Sequence, residues 1–181
     1  MRHIRAIPSL AAAALLVAGY LMVPALTMAA TNQDSPQITK FLADARTEAA
    51  ELKADSADLE SMTRSKLSWE SHAAKVEMIK EHVNKTVKLL TSMKDVSGGS
   101  AWQQMAVQGI EPLLKELAGN TEATIKHLNA NRTRVHMPAF RDYAKANLDL
   151  ATDLESLIRK FADYSEAKGK YERLGAELEV S

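Results

Sequence analysis

Residues 34–62, DSPQITKFLADARTEAAELKADSADLESM, decide the fold class. Asp34-Ser35-Pro36 reads as a helix start: a capping side chain, then a proline at a position where its missing N–H costs nothing. From there Ile38, Leu42, Ala45, Ala49, Leu52, Ser56 and Leu59 recur at spacings of three and four, which is one stripe of a helix. The spacing predicts a first helix ending near Met62 to Ser65.

The same reading extends along the chain. A second helix is expected from about Ser68, with Trp69, His72, Val76, Ile79, Val83, Thr86, Leu90 and Met93 on one face. Ser97-Gly98-Gly99-Ser100 stops it and opens the third. The third stripe, Val107, Ile110, Leu114, Leu117, Thr121, Ile125 and Leu128, passes Pro112 and Gly119 without losing register, so a kink near Pro112 is expected and not a break. The last helix opens at Met137-Pro138 and carries Tyr143, Asn147, Leu150, Leu154, Leu157, Phe161 and Tyr164 toward Leu178. Short connections between long helices favour antiparallel neighbours. The expected fold is therefore all-α, an antiparallel up-down-up-down four-helix bundle whose long C-terminal helix overhangs.

Residues 1–30 have a different character. Arg2 and Arg5 precede an apolar run from Leu10 to Val23, then Pro24 and small residues through Ala29 and Ala30, the order of a secretory signal peptide cut after Ala29. The alternative is an uncleaved membrane anchor, since the run nearly reaches the roughly 20 apolar residues a span needs. Either way the bundle, residues 31–181, is expected outside the cytoplasm, as a periplasmic or extracellular protein and a single domain.

Residues 1–30 hold two of the 23 basic residues and none of the 23 acidic ones, so the remainder has a net charge of −2 and offers no electrostatic case for nucleic acid. The absence of cysteine excludes disulfides, thiol catalysis, iron–sulfur clusters and lipid attachment through a cysteine. No phosphate loop, Gly-x-Ser-x-Gly or His-Glu-x-x-His is present, and the chain reads as non-enzymatic. Glu48, Glu51, Glu77 and Glu81 read as solvated-face residues. Met62, Met78, Met93 and Met105 read as core fillers.

Antiparallel order gathers the unusual side chains at one end. Met62, Trp69, His72, His127, Asn131, His136, Met137, Tyr143 and Asn147 all fall within about three turns of it. His82 alone among the histidines after residue 30 lies toward the middle. His72 is on a core face and should be buried. His127 lies in a polar stripe with Asn120, Thr124 and Asn131, for which Tyr143 and Asn147 are the expected partners, because an unsatisfied buried group costs roughly 1–3 kcal/mol. The plain reading is a hydrogen-bonded layer without a cofactor. The alternative is a ligand site of His72, His127, His136, Asn131, Tyr143 and Asn147, with haem b or a divalent metal held by His72 and His127. Arg132, Arg134, His136 and Arg141 around the third turn read as a solvated basic patch.

The stretch Lys126-His127-Leu128-Asn129-Ala130-Asn131 through His136-Met137-Pro138-Ala139-Phe140-Arg141-Asp142-Tyr143, together with Trp69-Glu70-Ser71-His72, resembles a group of exported bacterial four-helix-bundle proteins. That resemblance implies a fold and no activity. The architecture is also similar to cytochrome b562-like bundles, whose haem ligands are a Met near the start of the first helix and a His near the end of the fourth. Here Ile38 and Phe41 stand at the start, and Tyr171 and Leu178 at the end. Ferritin-like di-iron bundles need Glu-x-x-His pairs, and no histidine here has a Glu three residues before it. The expected role is binding or structural in the cell envelope, with an envelope component or a second copy as partner.

Overall fold

A computed structural model describes residues 33–179, and the signal-peptide and anchor readings of residues 1–30 lie outside them. Four helices follow in chain order: α1 Pro36–Met62, α2 Trp69–Asp95, α3 Ala101–Ala130 and α4 Pro138–Glu179. No helix among the described residues is long and apolar enough to cross a membrane.

Local chemistry sets the helix ends. Ser35 Oγ accepts from the Ile38 N–H, and Ser68 Oγ accepts from the Ser71 N–H, both at 3.4 Å. Gly98 and Gly99 reverse the chain between α2 and α3 with φ of 90° and 128°, a region that residues with a Cβ rarely enter. Pro112 lies on the exposed side of α3, and the helix runs through it without a break.

Each helix packs against two others, α1 on α2 and α4, and α3 on the same two. Pairing order shows the antiparallel sense. As α1 advances from Arg46 to Lys53, its partners on α4 retreat from Asp163 and Glu166 to Glu155. One hydrophobic cluster runs the length of the bundle, with Leu42, Leu52, Ile79, Ile110, Leu117 and Leu154 fully or almost fully buried in it.

The expected stripes of α1 and α2 are buried throughout, apart from Trp69, which is partly exposed. That of α4 requires correction. Its core line is Phe140, Ala144, Asn147, Ala151, Leu154, Ile158 and Ala162. Leu150, Leu157 and Phe161 flank that line half-buried, and Tyr164 is half exposed. The alanines take the centre because they allow close helix approach, while the larger groups reach sideways over neighbouring helices. Met78 and Met105 are exposed, so of the four methionines read as core fillers only Met93 is fully inside.

Gly99 is the tightest joint. A Cβ there would stand 2.9 Å from Ile38 Cδ1, on a backbone at positive φ. Gly99→Ala is expected to lower stability by about 1–3 kcal/mol. Urea unfolding followed by circular dichroism checks this; an unchanged midpoint would show that the turn has another conformation.

Candidate functional site

At the end shared by the α1–α2 and α3–α4 turns, Phe140 occupies the centre. Its ring lies 5.4 Å from that of His72 and 6.4 Å from that of His127, which stacks on it nearly parallel. His136 approaches His72 from the turn, with ring centroids 6.2 Å apart, and is itself exposed. His72 is fully buried, and its Nδ1 lies 2.8 Å from the Ser68 carbonyl oxygen. A carbonyl only accepts, so Nδ1 carries a proton, and Nε2 has no hydrogen-bond partner among the described residues. Haem b between His72 and His127 would need the space that Phe140, 1% exposed, already fills. The ligand atoms of His72, His127 and His136 do not converge as a triad.

The polar layer forms largely on the expected partners, Tyr143 and Asn147, with Thr121 as an added member and Asn131 bonded within its own helix. Asn147, fully buried, accepts from Thr121 Oγ1 at 2.9 Å and donates to Thr124 Oγ1 at 2.8 Å. Tyr143 contributes its backbone carbonyl, which accepts from Asn120 and Asn147, while its ring lies 5.0 Å from that of His127. Asn131 turns back to donate to the His127 carbonyl. Trp69 donates its indole N–H to the Leu128 carbonyl at 3.0 Å and is covered by the Arg132 guanidinium, so one member of the expected solvated patch packs on a ring.

The opposite end carries a clamp that sequence reading missed. Gln103, fully buried, accepts from the Ser35 and Ser100 N–H groups and donates to the Ser35 carbonyl and Thr39 Oγ1. Trp102 and Lys168 both donate to Asp34, at 2.7 and 2.6 Å. Partial burial alone would raise the Asp34 carboxyl, but the hydrogen bonds from Lys168 and Trp102 and the Lys168 charge outweigh it and hold the group below the usual carboxylate range.

A third constellation lies midway along the α1–α2 interface. His82 Nδ1 is 2.7 Å from Glu48 and 3.5 Å from Glu51, and His82 Nε2 is 3.5 Å from Asp55 Oδ2. Glu48, Glu51 and His82 are, among the described residues, the group whose ligand atoms gather within 4.8 Å as metal ligands would. Lys75 bridges Asp55 and Asp58 at 3.0 and 3.1 Å, and the Asp55 hydrogen bond, with Asp58 beside it, holds its ammonium above the usual lysine range. Glu48 is partly buried here, a correction to its solvated-face reading; Glu51 is exposed as expected. The signal was present as Glu48, Glu51 and Asp55 at i, i+3 and i+7.

No protein-family model, curated protein or solved structure matches the chain. What it does rests on its own residues.

Two outcomes follow from the clamps. Asn147→Ala is expected to lower unfolding free energy by about 2 kcal/mol or more, and Asn131→Ala, at a partly exposed position, by about 0.5–1 kcal/mol; equal losses in urea titration would contradict a buried layer at Asn147. Asp34 has a depressed folded-state pKa, so it stabilises the fold above its unfolded value near 3.9 and loses that contribution as pH falls through the folded value. The stability gap between wild type and Asp34→Asn should accordingly be full at pH 7 and close below about pH 4; a pH-independent gap would contradict the ionic role.

Proposed function

We propose that the chain is an exported, non-enzymatic helical-bundle protein that acts by binding in the cell envelope, as a molecule paired with a second copy through the end of α4. The export reading is supported by the order of residues 1–30. The pairing is supported by one observation: α4 outlasts the bundle.

Beyond Lys168 nearly every α4 residue is exposed, including Tyr171 at 79% and Leu174 at 55%. A helical end of about ten residues is marginal in water by itself. Gly169 and Gly175 weaken it further, by about 1 kcal/mol each relative to alanine. Among the described residues nothing beyond the helix's own backbone lies within 4 Å of where a Cβ would stand at either position, so packing among them does not call for glycine there. A second apolar face laid over Tyr171 and Leu174 would hold the segment.

The charge order favours another copy of the same helix. Lys170 and Arg173, with Glu172 between them, leave residues 170–173 net positive by one, and Glu177 and Glu179 follow. Antiparallel pairing then sets the basic half of each end across from the acidic half of the other, which steers association and fixes direction. A two-fold pairing of this kind is isologous and closes at two.

Sedimentation equilibrium at micromolar concentration tests the reading. Wild type is expected to be a dimer that weakens in 0.5 M salt. Tyr171→Ala with Leu174→Ala is expected to raise the dissociation constant at least tenfold with the helical content of the bundle kept. A wild-type monomer at 100 μM, or a dimer indifferent to the double substitution, would overturn the pairing.

A further inference from the structure

We infer a divalent transition-metal site on the α1–α2 interface, with Glu48, Glu51 and His82 Nδ1 as ligands and Asp55 orienting the imidazole from behind. The three ligand atoms already lie together within 4.8 Å. His82 Nδ1 is 2.7 Å from the Glu48 carboxylate and 3.5 Å from that of Glu51. Around an ion with bonds of about 2.0–2.2 Å, neighbouring ligand atoms stand about 3–3.5 Å apart, so small side-chain rotations suffice.

Asp55 supplies the second and independent observation. It is 8% exposed, and its Oδ2 is a buried oxygen with no hydrogen-bond partner among the described residues. That oxygen lies 3.5 Å from His82 Nε2. In the neutral imidazole that donates from Nδ1 to Glu48, Nε2 carries no proton and Asp55 Oδ2 goes without a donor. When an ion takes the Nδ1 lone pair, the remaining ring proton belongs on Nε2, facing Asp55. The orphaned oxygen then gains its donor in a carboxylate–histidine–metal arrangement. Lys75 occupies the other Asp55 oxygen and keeps that carboxylate from swinging into the site.

The rest of the surroundings fits a cation. Glu48, Glu51 and Asp55 converge on one histidine, and Lys85, half exposed and 3.5 Å from the Glu48 oxygen that faces His82, gives way to an ion by turning into solvent. Glu51 is exposed, so an ion reaches the site from solvent and keeps water in its remaining positions. One imidazole with two carboxylates suits zinc, manganese or ferrous iron over calcium or magnesium, which favour all-oxygen sets. Of the three, zinc lies highest in the general affinity order.

Calorimetric titration of Zn2+ into chelator-treated, purified protein tests the site, with Ca2+ as the comparison ion. The expected result is one Zn2+ per chain at micromolar affinity, at least tenfold weaker in His82→Gln and in Glu51→Gln, and about tenfold weaker in Asp55→Asn. Glu51 is exposed, so its variant keeps the fold and decides the matter if His82→Gln unfolds. Absence of Zn2+ binding, or wild-type affinity in Glu51→Gln and His82→Gln, would overturn the site. Binding of Ca2+ as tight as Zn2+ would overturn the imidazole's part in it.

Discussion

A buried amide is satisfied in one alignment of its neighbours and starved in the next, and Gln103 is such an amide. It joins the start of α1 to the start of α3 through both its oxygen and its nitrogen. Slipping either helix by a turn would strand these groups in the core at about 1–3 kcal/mol each. Asn147 does the same work toward the other end, between α3 and α4, through Thr121 and Thr124. Apolar stripes choose the faces that meet, and these two amides choose the register in which they meet.

Register in turn creates the chemistry on the α1–α2 face. Asp55 faces Lys75, and seven residues back along α1, Glu48 faces His82, seven residues on along α2. Two turns of antiparallel alignment thus place one histidine against three carboxylates that α1 presents from a single face. A slip of one turn would carry His82 away from Glu48 and dissolve the group. The interface is half-buried, which strengthens these interactions beyond what exposed pairs provide.

The helices were legible because capping residues, glycines and stripes of three-and-four spacing are local signals. Ser35, Ser68 and the Gly98-Gly99 pair mark ends that the structure keeps. Along α4 the largest apolar residues pointed to the wrong line by a fraction of a turn, because Ala144, Ala151 and Ala162 hold the centre and carry little hydrophobic weight in a sequence. Phe140 was passed over beside its more polar neighbours, yet it fills the space between His72 and His127. Gln103 gave no warning, since a glutamine near a helix start is ordinarily solvated.

The candidate site was harder to read. Topology gathers His72, His127 and His136 at one end, and there His72 and His127 pack on Phe140, His136 on His72 and Tyr143 on His127. His82 looked isolated in sequence, as its partners come from a different helix. The spacing of Glu48, Glu51 and Asp55 was visible, but three acids on one helix face are ordinarily a solvated face. Only the α1–α2 register turns that face into a group with a histidine at its centre.

Nitrogen-15 NMR of the four imidazoles outside residues 1–30, recorded before and after one equivalent of Zn2+, bears most directly on the account, since it reports which histidine the fold has prepared for an ion. His82 alone is expected to change, with Nδ1 taking the ion and the proton settled on Nε2, while His72, His127 and His136 keep their signals. Movement of His72 and His136 with His82 unchanged would contradict it, and would return the chemistry to the end of the bundle around Phe140.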